Sequence, residues 1–517
     1  MKNQLKIGWG KRSIAPDGPV PIAGQFYLRV SAGQYTPVLA SALAVSNEKD
    51  AVIFVSVDMV VFSAEELKSV HRILKKEVPE IPVEKIILNS THTHSGPSYV
   101  NSKADYLKEV GVMPSSKVLA FLSRQVADAV KEAWASRAPG SIAYGYGFAT
   151  TGHSRRSVYQ KDIGKLRGAV SGLTVNGHAV MYGKTNDELF DGFEAGTNAF
   201  INLLYTFDKK DRLTGAVINV PCPAQTNEHA WMLHAGFWHH VREKLEVKYG
   251  KIGVICQSAA AGDLSPRPLL YLAAEHRRFR LKYKDKIDAY LKNPMITPFS
   301  DQCTPKERRD LAEHDLVDFL RAEDIAVRIA AAFDEVLSWA GQEKFSNPVL
   351  QHEVRTVELS RRQFPEALVE EEKCKHEEVM KLPFKTDGTK WERLIENSRL
   401  SARRRRIGGV LSRWENQEKE PALTTVIHAV RLGNIAFATN RFELFMDYQH
   451  RIQARSPFEQ TFIVQLVTDP WGAGSYLATE KAVRNKGYSA SPYCNLVSPK
   501  GGQELVEETL KILEDIK

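Results

Sequence analysis

The sequence predicts an α/β fold: a mixed, mainly parallel sheet core flanked by helices, with a charged helical hairpin inserted into it. Three observations predict this. Short, nearly continuous apolar runs rich in Val, Ile and Phe recur along the chain, the pattern of strands covered on both faces. Amphipathic helical patterns lie between them, and strand alternating with helix favours a largely parallel sheet. One stretch, 362–422, breaks the alternation with two highly charged helical patterns joined by KTDGT.

In chain order, the strand-like runs are AVIFVSVDMVVF (51–62), KIILNS (85–90), GAVINVP (215–221), IGVICQS (252–258), NIAFATN (434–440) and TFIVQLV (461–467). The helical patterns cover 63–78, 115–136, 234–250 and 323–339. Ser63 with Glu66 three residues on is a capping box, which places the first helix start. The charged stretch reads as an insertion, so residues 1–361 and 423–517 form one catalytic unit and 362–422 a helical addition. The run Arg403 to Arg406 within it reads as a solvated helix face.

At 517 residues the chain exceeds one ordinary core, which implies one large domain with an insertion, or two or three domains. No apolar run approaches the roughly 20 residues of a membrane helix. The first residues lack the apolar segment of a secretion signal, which fits a cytoplasmic protein or a secreted or periplasmic one whose leader has been removed. Five scattered cysteines, Cys222, Cys256, Cys303, Cys374 and Cys494, include no C-x-x-C pair, which argues against a disulfide framework or a thiolate zinc site. Net charge is +8, favouring an anionic small-molecule or glycan substrate. Zinc-finger spacing and RNP-like aromatic motifs are absent, so no nucleic-acid partner is expected. The oligomeric state is not encoded in any motif.

Polar outliers fall just after apolar runs. Asp58 lies in VSVDMV, His92 and His94 follow KIILNS, AAAGDLSP (259–266) follows IGVICQS, Glu443 follows NIAFATN, and Tyr476 follows TFIVQLV by a loop. In open α/β sheets ligands bind outside the carboxyl ends of the strands, so these ends can address one crevice. In an extended chain His92 and His94 point to opposite sides, one toward a metal and one toward substrate. The AAAGDLSP loop offers backbone amides for an oxyanion, with Asp263 and Ser265 beside them, but it is not a G-x-S-x-G elbow. Glu443 reads as a metal ligand, a general base, or an ion-pair partner of Arg441.

Taken together, KIGWGKRSIAPDGPVPIAGQFY, STHTHSGP, AAAGDLSPR, FATNRFELF and SYLATEKAVRNKGYSASPY, in this order, resemble the catalytic domain of the neutral/alkaline (non-lysosomal) ceramidase family. The resemblance spans most of the chain, with the helical hairpin as an insertion and no counterpart of the family's C-terminal immunoglobulin-like domain. It implies zinc-assisted hydrolysis of an amide (N-acyl) bond. By position, His92, Glu443 and Tyr476 are implied zinc ligands, with His94 facing substrate and Tyr488 at the reacting carbonyl. The family's substrate arginine falls on Arg155 or Arg156. Asp263 joins the catalytic candidates through its motif.

The sequence departs from the family at the second histidine ligand, where Ala224 or Gln225 stands. His229 is the replacement taken for the metal set, with Glu228 and Gln225 as alternatives. His234, His239 and His240 fall in a helical pattern and read as packing or surface residues. Arg155, Arg156, Arg267 and Arg441 suit carboxylate or sulfate groups better than two alkyl chains. A second reading is therefore a uronate-directed polysaccharide lyase, with His94, Tyr476 and Tyr488 as acid and base and arginine or metal neutralising the carboxylate. A third is a binding protein that has lost its metal.

Overall fold

The computed structural model describes residues 4–100, 104–170, 172–295 and 305–517, so Cys303 lies outside the described residues. Eight strands build the first sheet: β1 (Lys6–Ser13), β2 (Leu39–Ser46), β3 (Ala51–Val57), β4 (Ile86–Ser90), β5 (Ala138–Phe148), β6 (Phe200–Asp208), β7 (Leu213–Val220) and β8 (Gly253–Ser258). Their spatial order is β8-β7-β6-β5-β1-β2-β3-β4. A second sheet has the order of its sequence: β9 (Leu350–Ser360), β10 (Ala422–Leu432), β11 (Ile435–Thr439) and β12 (Gln460–Val464).

The sheets are mixed, as the sequence predicts. The parallel pairs are β3 with β4, β7 with β8, and β11 with β12. The other neighbours run antiparallel, so the balance lies further toward antiparallel than the apolar runs suggest. Much of the difference comes from β1, β2 and β5, whose sequences KIGWGKRS, LASALAVS and APGSIAYGYGF are interrupted by Gly, Ser and charge. Such strands carry little propensity of their own and are held by their neighbours.

The two sheets lie face to face. Phe54, Ile87, Leu204 and Ile255 of the first meet Val430, Phe437 and Phe462 of the second in one buried cluster, with the Phe54 and Phe437 rings 4.7 Å apart. Helices cover the two outer faces. On the first sheet these are α1 (Ala64–Glu77), α2 (Ser115–Ala135), α3 (Phe237–Tyr249) and α4 (Pro305–Ala340). The sequence of the charged stretch yields α5 (Glu366–Lys381) and α6 (Lys390–Glu415), and the second sheet is covered by α7 (Met446–Arg455) and α8 (Pro499–Asp515). Each central strand is thus covered on both faces, once by helix and once by the other sheet, which is why its sequence is continuously apolar.

The capping box of α1 forms both reciprocal bonds, Glu66 N to Ser63 Oγ at 3.2 Å and Ser63 N to Glu66 Oε2 at 2.7 Å. Such a cap contributes about 1 kcal/mol. Helix α3 starts three residues later than predicted. His234 stays in the preceding loop, bonded to Asn227 O and to Gly236 N. Helices α5 and α6 leave from the end of β9 and return to β10, which pairs with β9 from Leu350↔Leu432 to Ser360↔Ala422. Among the described residues the four cysteines are free, and no helix is long and apolar enough to cross a membrane.

Candidate functional site

All three parallel pairs release their chains toward one region, and backbone bonds lace those exits together. Ala224 N donates to Thr91 O, Gln465 N to Ser258 O, Gly262 N to Leu444 O, and Ser90 N to Leu466 O. This is the crevice outside the carboxyl ends that the sequence anticipates. Strained backbone gathers there as well: His92, Leu466 and Ser475 have positive φ of 59°, 56° and 76°. Non-glycine residues in the left-handed region cluster at functional sites because neighbouring structure must hold them there.

The left-handed turn at His92 changes the fate of the histidine pair. The expectation that the two rings diverge fails because the segment is not extended. His92 Nε2 and His94 Nε2 lie 3.3 Å apart. His92 Nδ1 lies 2.8 Å from Val60 O, so it carries the proton and leaves Nε2 with its lone pair. That nitrogen is 3.4 Å from Glu443 Oε2. His94 Nδ1 in turn is 3.4 Å from Glu228 Oε2. The result is a buried line of carboxylate, imidazole, imidazole and carboxylate. Gly24 closes over it: φ is +106°, and a Cβ there would sit 2.6 Å from the His94 ring.

Glu443 and Tyr476 are register partners in a two-strand parallel contact, Glu443–Leu444 with Tyr476–Leu477. Close approach of the 259–265 loop depends on Gly262, where any Cβ would collide with Glu443 O. Burial pushes the Glu443 carboxyl up, but His92, Arg155 and Tyr476 together hold it below its usual value. The Tyr476 phenol is raised well above its usual value, by burial first and by Glu443 against the opposing pull of Arg155. Burial brings His94 down to about 4 despite Glu228, so its imidazole is neutral at physiological pH. Glu228 resists its own burial through His94, Gln225 and His229 and falls to about 2.

Around this line stand further groups. The Arg155 guanidinium packs over the Tyr476 ring at 5.2 Å, and the Tyr476 and Tyr488 rings are 5.7 Å apart. Tyr488 meets Phe26 edge-on at 5.3 Å and Arg406 at 5.3 Å. Gln225 Nε2 donates to Glu228 Oε2 at 2.7 Å and lies 3.4 Å from Tyr182 OH. Arg29, fully buried, clamps the histidine loop by donating to the carbonyls of Ala23, His94 and Ala230.

Other candidates do not join. His229 is exposed, and the carboxylate of Glu228 rather than its imidazole reaches the histidine pair. Arg156 turns away to Glu194, Ser489 and Lys486 O, which separates it from Arg155. Asp263 accepts from Met446 N at 3.0 Å and so caps α7, with burial raising its carboxyl to about 7. Ser265 is met by Tyr182 OH and Arg267 N, not by a base. Arg267 is exposed. Arg441 pairs with Asp469 at 3.3 Å rather than with Glu443. Asp58 is a structural anchor, held bidentately by Arg242.

Sequence reading missed Arg29, Tyr182 and Arg406. Arg406 was hidden in a charged run expected to be solvated. Only Arg405 of that run is exposed, and Arg404 bonds carbonyls at the end of α5. A signal existed: apolar Ile407 and two glycines follow directly, marking the buried side of α6.

No protein-family model and no curated protein matches the chain. Solved structures do. Neutral ceramidase from Pseudomonas aeruginosa superposes with a TM-score of 0.61 at 16% identity, over 100% of this chain and 75% of that one. A ceramidase complexed with C2 gives 0.60 at 15% identity, over 99% and 75%. The chain has the neutral ceramidase fold. A neutral ceramidase-like architecture thus persists here at an identity where the fold alone is shared.

Whether this site suits zinc is a question for its donors. His92 Nε2 offers a lone pair with its tautomer fixed, Glu443 lies 3.4 Å from it with its carboxyl held below the usual value, and Tyr476 adjoins Glu443. Where the sequence departs from the family, Gln225 Oε1 is buried without a hydrogen-bond partner. The donor types of His92, Glu443 and Tyr476 suit one divalent ion. A separate group, His239, His240 and Glu243 on α3, also has its donor atoms within 4.8 Å of one another. Its neighbour Glu323, 3.1 Å from His240 Nδ1, is already matched by Lys244 and Lys286.

Proposed function

We propose that the protein hydrolyses an amide bond in an N-acyl compound, with His92, Glu443 and Tyr476 holding one zinc ion. The observation that carries this reading is the meeting of His92 Nε2 with Glu443 while Val60 O fixes the opposite ring nitrogen. Zinc at such a donor set supplies carbonyl polarisation and acidified water. The chain's own groups supply the rest. His94, neutral and backed by Glu228, accepts a proton at Nε2 while the carboxylate compensates the charge that develops on the ring. Tyr488, its phenol raised above the usual value by burial, stays protonated and can donate to a developing oxyanion. Arg155 compensates charge beside Tyr476.

The test is elemental analysis together with amine release from N-acyl probes. One zinc per chain, lost in His92→Ala along with turnover, is expected. Undiminished turnover by metal-free protein would defeat the reading. The position of Arg155 against Tyr476 favours a second reading, β-elimination from a uronate with the tyrosine as acid or base. Ultraviolet absorbance of an unsaturated product from an anionic glycan, with no amine release, would decide for that lyase.

A further inference from the structure

We propose that α3 carries a second divalent transition-metal site, built by His239, His240 and Glu243 and sharing no residue with the crevice. The three positions lie on one helical face, because Glu243 stands one turn beyond both histidines. Each offers one donor atom, and these atoms lie within 4.8 Å of one another. The two imidazole rings meet edge to face, with centroids 5.1 Å apart. Donors held by tetrahedral zinc stand about 3.4 Å apart. Small side-chain rotations close that gap, and the Glu243 side chain, 54% exposed, has room to make them.

A buried nitrogen points to the ligand. His240 is 5% exposed, and its Nδ1 has no hydrogen-bond partner. Glu323 Oε2 stands 3.1 Å from that nitrogen without hydrogen-bonding geometry, and Lys244 and Lys286 already neutralise its carboxylate. Glu243 is therefore the carboxylate of the set, and no Lys or Arg among the described residues lies within ion-pair distance of it. Neither ring nitrogen of His239 makes a hydrogen bond among the described residues. Leaving a buried polar nitrogen bare is costly, and a bound ion removes that cost. His239 and Glu243 also line a cleft of about 870 Å³, together with Ser41 of β2 and Glu132 of α2. An ion thus has an entry path, and its remaining coordination positions face solvent in the cleft. Two imidazoles and one carboxylate suit zinc, cobalt or nickel, whereas magnesium and calcium take oxygen ligands. The positive end of the α3 dipole opposes a cation by about fivefold at most. That is less than the roughly 10- to 100-fold commanded even by a residue that only supports a metal ligand.

The experiment titrates the zinc-bearing full chain with Co2+ and follows the visible absorption of the bound ion. The native protein and His92→Ala are each expected to take up one added equivalent, which excess Mg2+ or Ca2+ does not displace. His239→Ala and Glu243→Gln change partly exposed helix positions and should keep the native circular dichroism spectrum. Each is expected to weaken that uptake by about 100-fold or more, with amide turnover unchanged. Absence of saturable uptake by the native protein overturns the inference, and this arm needs no variant to fold. Equal uptake by the two folded α3 variants overturns it as well. Uptake abolished by His92→Ala assigns the ion to the crevice and has the same consequence. Displacement by Mg2+ or Ca2+ would replace the transition-metal site with an oxygen-ligand site and also overturns it. The hydrolase reading stands or falls separately, on amine release.

Discussion

Replacing Asp263 by Asn separates a structural role from a catalytic one at a motif residue that the sequence offers as catalytic. The carboxyl is fully buried and its Oδ1 accepts from Met446 N, a bond the Asn oxygen keeps. Burial raises it from 3.8 to about 7, and Asp447 adds to the rise against Arg156 and two backbone donors. A carboxyl raised on folding leaves the folded state holding a proton that the unfolded chain releases. Stability is then undiminished below pH 4, falls as pH rises through the interval, and levels off above about 7. The whole interval is worth on the order of 4 kcal/mol, and the part between pH 5 and pH 7 about 3 kcal/mol. Asp263→Asn should therefore gain on the native protein by about that amount between pH 5 and neutral pH, beyond any constant offset. Denaturant unfolding at several pH values measures the difference, and amine release measures function. A stability difference that does not change with pH would refute the buried-acid account. Loss of turnover in a folded Asp263→Asn protein would return the residue to the chemistry.

Other expectations follow from the same geometry. His92→Ala should lower turnover by roughly 1,000-fold or more with the fold retained, as electrostatic support at the reacting carbonyl is lost; near-native activity would remove His92 from the site. Gly24→Ala introduces a strained φ and a contact with the His94 ring, so about 1–3 kcal/mol of stability and most activity should go together, read by thermal unfolding and assay. Arg156→Ala strands the Glu194 carboxylate and should cost about 3–5 kcal/mol in denaturant unfolding, unlike an arginine that serves substrate alone. Ser265→Ala should keep measurable turnover, because no base faces its hydroxyl; complete loss in a folded protein would revive a serine nucleophile.

The sequence by itself determined the strand cores, the capping box of α1, the helical hairpin and the loop positions of the candidate polar groups. These follow from local rules. Apolar continuity reports burial, Ser63 and Glu66 satisfy neighbouring amides, and breaks after apolar runs mark strand ends. The weak strands β1, β2 and β5 escaped because Gly, Ser and Ala contribute little of their own and depend on partners distant in the chain.

Only the tertiary structure decided how the site is wired. A positive φ at His92 brings the two imidazoles together, against the alternation of an extended segment. Arg155 and Arg156 are adjacent in sequence but meet different partners, one packing against Tyr476 and the other pairing with Glu194. Glu228 rather than His229 reaches His94. Arg406 arrives from a helix inserted far along the chain. Residue type and spacing fix which chemistry a chain can offer, because they act over a few neighbouring residues. Which of those groups meet depends on packing between segments hundreds of residues apart, and no local pattern carries that information.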